Sequence, residues 1–142
     1  MTDVLTKFEI LQDLNDEGRE RFAQVLEERR LDAGRTLFRT DDEAEEMFLV
    51  AEGQLRLERD GEVLGLLGPG QVLGAGSVVV IGKRECTAVA ETSVQLLLLT
   101  REGYQRLRMD CPQVALVLQE GILRELGKVL RGSLSDLGRD AS

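Results

Sequence analysis

Between residues 30 and 100, short apolar segments alternate with Gly, Asp and Pro, and this pattern limits the available folds more than any other feature. Leu55 and Leu57 alternate with polar neighbours, which is typical of a half-buried strand. The pair Asp60-Gly61 follows closely and is typical of a hairpin turn. Short strands at intervals of about ten residues, with turn residues between them, predict an antiparallel β-barrel or sandwich.

Helical patterns lie on both sides of this β-rich segment. We predict N-terminal helices over about residues 3–30 and C-terminal helices over about residues 101–131, because apolar residues recur there at helical spacing. Residues 132–142 are mostly small and polar and are expected to form a flexible tail. The expected fold is therefore α+β, with one domain over residues 1–131 in which helices flank an antiparallel β-barrel of residues 30–100.

Composition excludes several classes of function. The 142 residues contain no His, which rules out Ser-His-Asp and Cys-His catalysis and the usual zinc sites, so we predict no catalytic residues and no metal. The net charge of −8 argues against DNA binding by this chain alone, because phosphate neutralisation supplies most of that affinity. Cys86 and Cys111 are predicted to be free thiols. With no signal-peptide or membrane-spanning pattern, the chain is expected to be cytoplasmic and not to bind membranes.

Three segments carry a resemblance to a known family. They are Gly34-Arg35-Thr36-Leu37-Phe38, the run from Phe48 to Leu57, and Leu67-Gly68-Pro69-Gly70-Gln71-Val72-Leu73-Gly74. In spacing and in side-chain type, they resemble a cyclic nucleotide-binding domain, the module of bacterial cAMP receptor transcription factors and protein kinase regulatory subunits. The resemblance implies a double-stranded β-helix (jelly roll), a non-enzymatic regulatory role, and a cyclic nucleotide as a candidate ligand.

The stretch after Gly74 corresponds to the phosphate-binding cassette of that family. By resemblance, Arg84, ten residues beyond Gly74, neutralises the phosphate. The Ser77 hydroxyl and the backbone N–H groups of Gly76 and Ser77 complete the anion site, with Thr87 as a further hydroxyl. Two alternatives stand beside this assignment. Arg84 would pair with a local carboxylate on a solvated face, and Thr87 would be an ordinary strand residue.

Ala75 departs from the family pattern, because it stands where a carboxylate holds the ribose hydroxyl. Losing a hydrogen bond to a charged group costs about 1.5–3 kcal/mol, or roughly ten- to a hundredfold in affinity. The β-branched run Val78 to Ile81 also disfavours the short helix of the family cassette. We therefore expect a degenerate pocket with weak or no cAMP or cGMP binding, no required cofactor, and another small anion as an alternative ligand.

The predicted C-terminal helix carries an apolar stripe of Val114, Leu118, Ile122, Leu126 and Val129. By resemblance, this helix closes over the base or forms a parallel dimer, and the stripe also suits packing on the chain's own barrel. We expect a homodimer or a partner protein on this stripe. Because the chain ends before a helix-turn-helix domain, it is not expected to be a complete transcription factor.

Two hypotheses follow from the sequence. The first is a stand-alone regulatory or sensory module with a degenerate ligand pocket. The alternative is an interaction or dimerisation scaffold that uses the C-terminal helix and binds no ligand. A β-barrel enzyme of the cupin kind ranks last, because such enzymes usually need His ligands for a metal. Arg101 and the other scattered arginines are expected to be surface charges.

Overall fold

The computed structural model describes the backbone of residues 2–141 and the side chains of residues 3–128. The helices are α1 Thr2–Leu5, a 3-10 helix Glu9–Leu11, α2 Asp16–Ala23, α3 Arg101–Asp110 and α4 Pro112–Ala141. The strands are β1 Glu27–Leu31, β2 Thr36–Phe38, β3 Glu46–Glu52, β4 Leu55–Arg59, β5 Glu62–Leu67, β6 Val72–Leu73, β7 Thr87–Ala90 and β8 Val94–Thr100. Helices therefore precede and follow a block of eight strands, as the sequence predicts.

The strands form two four-stranded antiparallel sheets with the orders β1-β8-β3-β6 and β2-β7-β4-β5. At the centre of the first sheet, Phe48 lies opposite Leu98 and Leu49 opposite Leu97. The predicted hairpin is present, because Arg59 and Glu62 pair across the turn that Asp60 and Gly61 form. The antiparallel fold class is thus confirmed, and its strands make two facing sheets rather than one hydrogen-bonded closed barrel.

Strand β3 is buried on both faces. Phe48 and Val50 point into the core between the two sheets, together with Leu55 of β4. Met47 and Leu49 point the other way, into a second core beneath the helices. A strand that is covered on both faces needs apolar residues at successive positions, which explains why this segment is apolar without alternation.

The N-terminal helical segment ends earlier than predicted. Helix α2 stops at Ala23, and residues 27–31 form strand β1 instead of continuing a helix to residue 30. Glu27 to Arg30 are good helix formers, so local preference favoured a helix. Pairing with the apolar strand β8 overrides that preference, and the four polar side chains remain exposed at the sheet edge.

Helix α4 packs on its own domain. Val114, Leu118 and Ile122 are buried in the core beneath the helices, so the structure corrects their assignment to a free dimer or partner face. A Cβ added at Gly121 would overlap the carbonyl oxygen of Ile10, which shows how closely the helix lies against the 3-10 helix. The third use that the sequence left open, packing on the chain's own domain, is the one observed.

The remaining positions of helix α4 differ from this buried set. Leu126 is 42% exposed, and the side chain of Val129 lies outside the described residues. The helix continues to Ala141, past the predicted end near residue 131, and the flexibility expected for residues 132–142 stays a prediction. Within the described part of the chain, no helix combines the length and apolar character that crossing a bilayer requires.

Candidate functional site

A cavity of about 440 Å³ lies between the segment that follows β6 and helix α4. Five of the predicted site residues line it: Gly74, Ala75, Gly76, Ser77 and Arg84. The structure therefore brings together the positions that the sequence proposed for an anion site, although they span eleven residues with no regular secondary structure assigned between Gly74 and Arg84.

Arg84 is the buried cation of this cavity, with 7% of its surface exposed. Its Nη2 donates to the carbonyl oxygen of Glu46 at 2.9 Å, and its Nη1 donates to the Ser77 hydroxyl at 3.3 Å. The guanidinium carbon also lies 4.3 Å from the ring centre of Phe38 and 5.3 Å from that of Phe48. Both aromatic faces attract the cation and fix its plane.

No described carboxylate neutralises Arg84. Its nearest partners are neutral oxygens, and no described Asp or Glu oxygen lies within 4 Å of its guanidinium nitrogens. The Nε atom is buried without a partner. The alternative of an ion pair on a solvated face is therefore wrong. Burial lowers the pKa of the Arg84 guanidinium, and the nearby carboxylates of Glu46 and Asp42 oppose that shift. A buried, unpaired cation beside a cavity gains most from an incoming anion.

The turn after β6 places this cation. Gly74 has φ +72°, and a Cβ there would lie 2.5 Å from Nη1 of Arg84. The Ser77 amide donates to the Gly74 carbonyl at 3.0 Å, and the Val80 amide donates to the Gly76 carbonyl at 2.9 Å. The segment thus makes hydrogen-bonded turns and no assigned helix, which agrees with its β-branched sequence.

Two backbone donors are unused at the start of this turn. Among the residues that the structure describes, the N–H groups of Ala75 and Gly76 have no hydrogen-bond partner. Successive unpaired N–H groups in a turn form a concave anion site. Ala75 and Gly76 line the same cavity as Arg84.

Ala75 presents a methyl group to the cavity. It is 8% exposed and belongs to the core beneath the helices. Its side chain offers no oxygen to a ligand hydroxyl. Carboxylates line the cavity elsewhere, at Glu85 and at Glu125 of helix α4.

Thr87 does not line the cavity, which corrects its assignment to the ligand site. It begins strand β7, where its hydroxyl oxygen accepts from the Thr40 backbone N–H at 3.0 Å. The two threonine hydroxyls lie 3.1 Å apart. Thr87 therefore joins the start of β7 to the loop after β2, as an ordinary strand residue would.

Arg101 is the site residue that the sequence did not indicate. It is the first residue of α3, and its Nε donates to the Ser77 carbonyl at 3.0 Å. Its Nη2 donates to the carbonyl oxygens of Ala44 at 2.9 Å and of Val80 at 3.1 Å. One guanidinium thus holds the turn of residues 74–80, which we call the cassette turn, against the loop before β3. One sequence signal could have placed Arg101 at the start of a helix. It is the N-cap residue Thr100, whose side-chain oxygen accepts a hydrogen bond from the Gly103 amide.

Helix α4 forms one wall of the cavity. Glu125 and Leu126 line it, and a Cβ added at Gly76 would lie 3.7 Å from a methyl carbon of Leu126. A ligand that fills the cavity therefore contacts both the cassette turn and this helix.

Comparison with known proteins agrees with this geometry. The family model described as "Cyclic nucleotide-binding domain" matches residues 28–111. The Cyclic AMP receptor protein of Thermus thermophilus is 37% identical over 98 residues, which cover 66% of this chain and 45% of that protein. The cGMP-dependent protein kinase egl-4 of Caenorhabditis elegans is 30% identical over 103 residues, covering 72% of this chain and 13% of the kinase. The chain thus spans less than half the length of these relatives.

One solved structure resembles this chain over nearly the whole length of both chains. It is the N-terminal domain of a transcriptional regulator from Streptomyces coelicolor A3(2), with 31% identity and a TM-score of 0.82. The similarity covers 92% of this chain and 95% of that one. The matched family model spans the cassette turn, Arg84 and Arg101. On sequence, fold and site geometry together, this chain belongs to the cyclic nucleotide-binding domain family.

Proposed function

We propose that this chain is a non-catalytic regulatory module whose buried Arg84 binds the anionic group of a small ligand. The observation that carries the proposal is the state of Arg84, which is 7% exposed and lines a cavity. Among the described residues, the hydrogen-bond acceptors of its guanidinium are only the Glu46 carbonyl and the Ser77 hydroxyl. A purely structural arginine at this depth would be expected to face a carboxylate.

Helix α4 is the proposed output. Leu126 and Glu125 place it against the ligand, and ion pairs from Arg124 to Asp13 and from Lys128 to Glu9, both exposed, attach it to the N-terminal segment. A ligand that contacts the helix in one position and not in another shifts its equilibrium. Such a module needs no cofactor, and its two free thiols suit a reducing compartment such as the cytoplasm.

We infer weak binding of cAMP and cGMP from Ala75. A ribose hydroxyl beside its methyl group would lose an acceptor, which weakens affinity by roughly ten- to a hundredfold. The Thermus relative is named for cyclic AMP, and that name describes the relative only.

Calorimetry with the Ala75→Glu variant tests this inference. We expect the wild-type chain to bind cAMP and cGMP weakly or not at all, and Ala75→Glu to gain about ten- to a hundredfold in cAMP affinity. The matched control is Ala33→Glu, which adds the same charge at an exposed turn and is expected to leave binding unchanged. A thermal melt establishes that the Ala75→Glu variant is folded. Wild-type binding in the micromolar range would refute the degenerate pocket.

A second candidate function is a homodimer through the exposed face of α4. Leu116 and Leu123 lie seven residues apart and are 56% and 67% exposed, so they share one face of the helix. Light scattering separates the candidates. A scaffold would show twice the 15.7 kDa chain mass and become monomeric in Leu123→Arg, whereas Met109→Arg on α3 would leave the dimer intact. A wild-type monomer would rule out this candidate.

A further inference from the structure

We propose that the ligand of this cavity is an organic anion with a single charged group, carried on an apolar body rather than on a sugar. This inference rests on the proposed function, because it names the ligand class of the same site. It follows from three features of the cavity wall: one deep cation, an apolar middle and a rim with no excess of positive charge.

The deep end accepts one anionic group. The Nη1 and Nη2 atoms of Arg84 each carry a second N–H beyond their bonds to the Ser77 hydroxyl and the Glu46 carbonyl. The unpaired amides of Ala75 and Gly76 add two neutral donors at the same end. A phosphate or a carboxylate would satisfy these donors, and an uncharged ligand would leave the buried cation unpaired.

The middle of the cavity is apolar. Its wall is made by Phe38, Val72, Leu73, Ala75 and Leu126. Phe38 and Ala75 are nearly buried, at 9% and 8% exposure. None of these five side chains donates or accepts a hydrogen bond, so a ring of ligand hydroxyls would lose water there without replacement. An aliphatic or aromatic body would instead gain by burial.

The rim disfavours a second anionic group. Lys83 is the one cation among the rim side chains, and the two carboxylates Glu85 and Glu125 also line the cavity. One positive and two negative groups give this rim a net charge of about −1 at neutral pH. A ligand with anionic groups at both ends would meet repulsion there, so the geometry favours an uncharged outer end.

Calorimetry with four small probes tests the proposal on the full chain. The probes are phenyl phosphate, glycerol phosphate, inorganic phosphate and benzyl alcohol. We expect phenyl phosphate to bind about tenfold or more tightly than glycerol phosphate, because only its body is apolar. Inorganic phosphate is expected to bind more weakly than phenyl phosphate, and benzyl alcohol to give no measurable heat. Phenylacetate, in a parallel titration, shows whether a carboxylate serves as well as a phosphate.

Two variants on helix α4 form a matched pair. Leu126→Ser removes an apolar contact from the cavity wall. We expect it to weaken the binding of phenyl phosphate by roughly fivefold and to leave the affinity for inorganic phosphate unchanged. Leu123→Ser makes the same change on the exposed part of the helix, away from the cavity, and is expected to alter neither. Both sites are surface-exposed, so neither variant threatens the fold.

The outcomes separate this inference from the proposed function. If glycerol phosphate binds as tightly as phenyl phosphate, and Arg84→Met abolishes both, the apolar-body inference is overturned and the anion site stands. If none of the phosphate compounds binds, both proposals fall. If benzyl alcohol binds as tightly as phenyl phosphate, the cavity recognises apolar bodies without a charge, and that result also overturns both.

Discussion

At the scale of single residues, the site depends on one cation held in place without being neutralised. The rings of Phe38 and Phe48 and the oxygens of Glu46 and Ser77 orient Arg84, yet all four are uncharged partners. Such partners fix the orientation of a guanidinium, but they offset only part of the free-energy cost of removing its charge from water. The arrangement suits a residue that awaits a ligand more than one that stabilises the fold.

Replacing this cation distinguishes the two roles. We expect Arg84→Met to abolish anion binding while changing the free energy of unfolding by less than about 1 kcal/mol, because an apolar side chain avoids the desolvation cost. Urea unfolding and calorimetry on the same sample measure both quantities. A loss of about 3 kcal/mol or more would mean that Arg84 is a structural residue.

Gly74 makes a second prediction at this scale. Gly74→Ala would place an alanine at a positive φ, which strains the backbone. Its Cβ would also lie 2.5 Å from the Arg84 guanidinium, which must then shift. We expect a loss of stability of roughly 1–3 kcal/mol together with a loss of anion binding. Gly61→Ala is the matched control, since Gly61 has φ +80° and nothing within 4 Å of an added Cβ. Equal effects of the two substitutions on binding would contradict the account.

At the scale of elements, the cassette turn is held by α3 and covered by α4. Arg101 at the start of α3 reaches the carbonyls of Ser77, Val80 and Ala44. Helix α4 supplies the opposite wall through Leu126. The turn has no regular hydrogen-bond ladder of its own, so its shape depends on these neighbouring elements.

Removing the Arg101 contacts tests this dependence. In Arg101→Gln, we expect faster hydrogen exchange at the Val80 amide, which donates to the Gly76 carbonyl at 2.9 Å, and weaker anion binding by several-fold. Arg106→Gln, on the exposed side of α3, serves as the control. Unchanged exchange at Val80 would show that the turn holds its shape without Arg101.

Gly121 makes a prediction about the docking of α4. In an isolated helix, replacing Gly by Ala stabilises the helix by about 1 kcal/mol. Here the added Cβ would overlap the Ile10 carbonyl oxygen, so we expect Gly121→Ala to destabilise the protein and to loosen α4 from the 3-10 helix. Chemical denaturation measures the sign of the change, and a more stable variant would contradict the close approach.

The sequence predicted those elements whose signals are local. The hairpin around Asp60-Gly61 and the strand that contains Leu55 and Leu57 are present where expected, because turn residues and alternating polarity determine them directly. Strand β1 was missed, since its charged residues favour a helix until β8 supplies a partner. Arg101 was missed because its acceptors lie 21 to 57 residues away in the chain, and no spacing pattern encodes such contacts.

At the scale of the whole molecule, two hydrophobic cores meet at the cavity. The core between the sheets holds Phe38 and Phe48, which fix the cation from below. The core beneath the helices holds Ala75 and the buried face of α4, so the cavity wall and the proposed output share one packed unit. A ligand that fills the cavity would therefore act on the same core that packs α4 against β3 and β8.

Titration of the full chain with inorganic phosphate, followed by NMR at the Ala75 and Gly76 amides, is the most direct test. These N–H groups have no partner among the residues that the structure describes, and we expect an anion bound beside Arg84 to shift their resonances. We expect saturable shifts at both amides that vanish in Arg84→Met. Absence of any shift, or shifts that persist unchanged without the Arg84 guanidinium, would contradict this expectation.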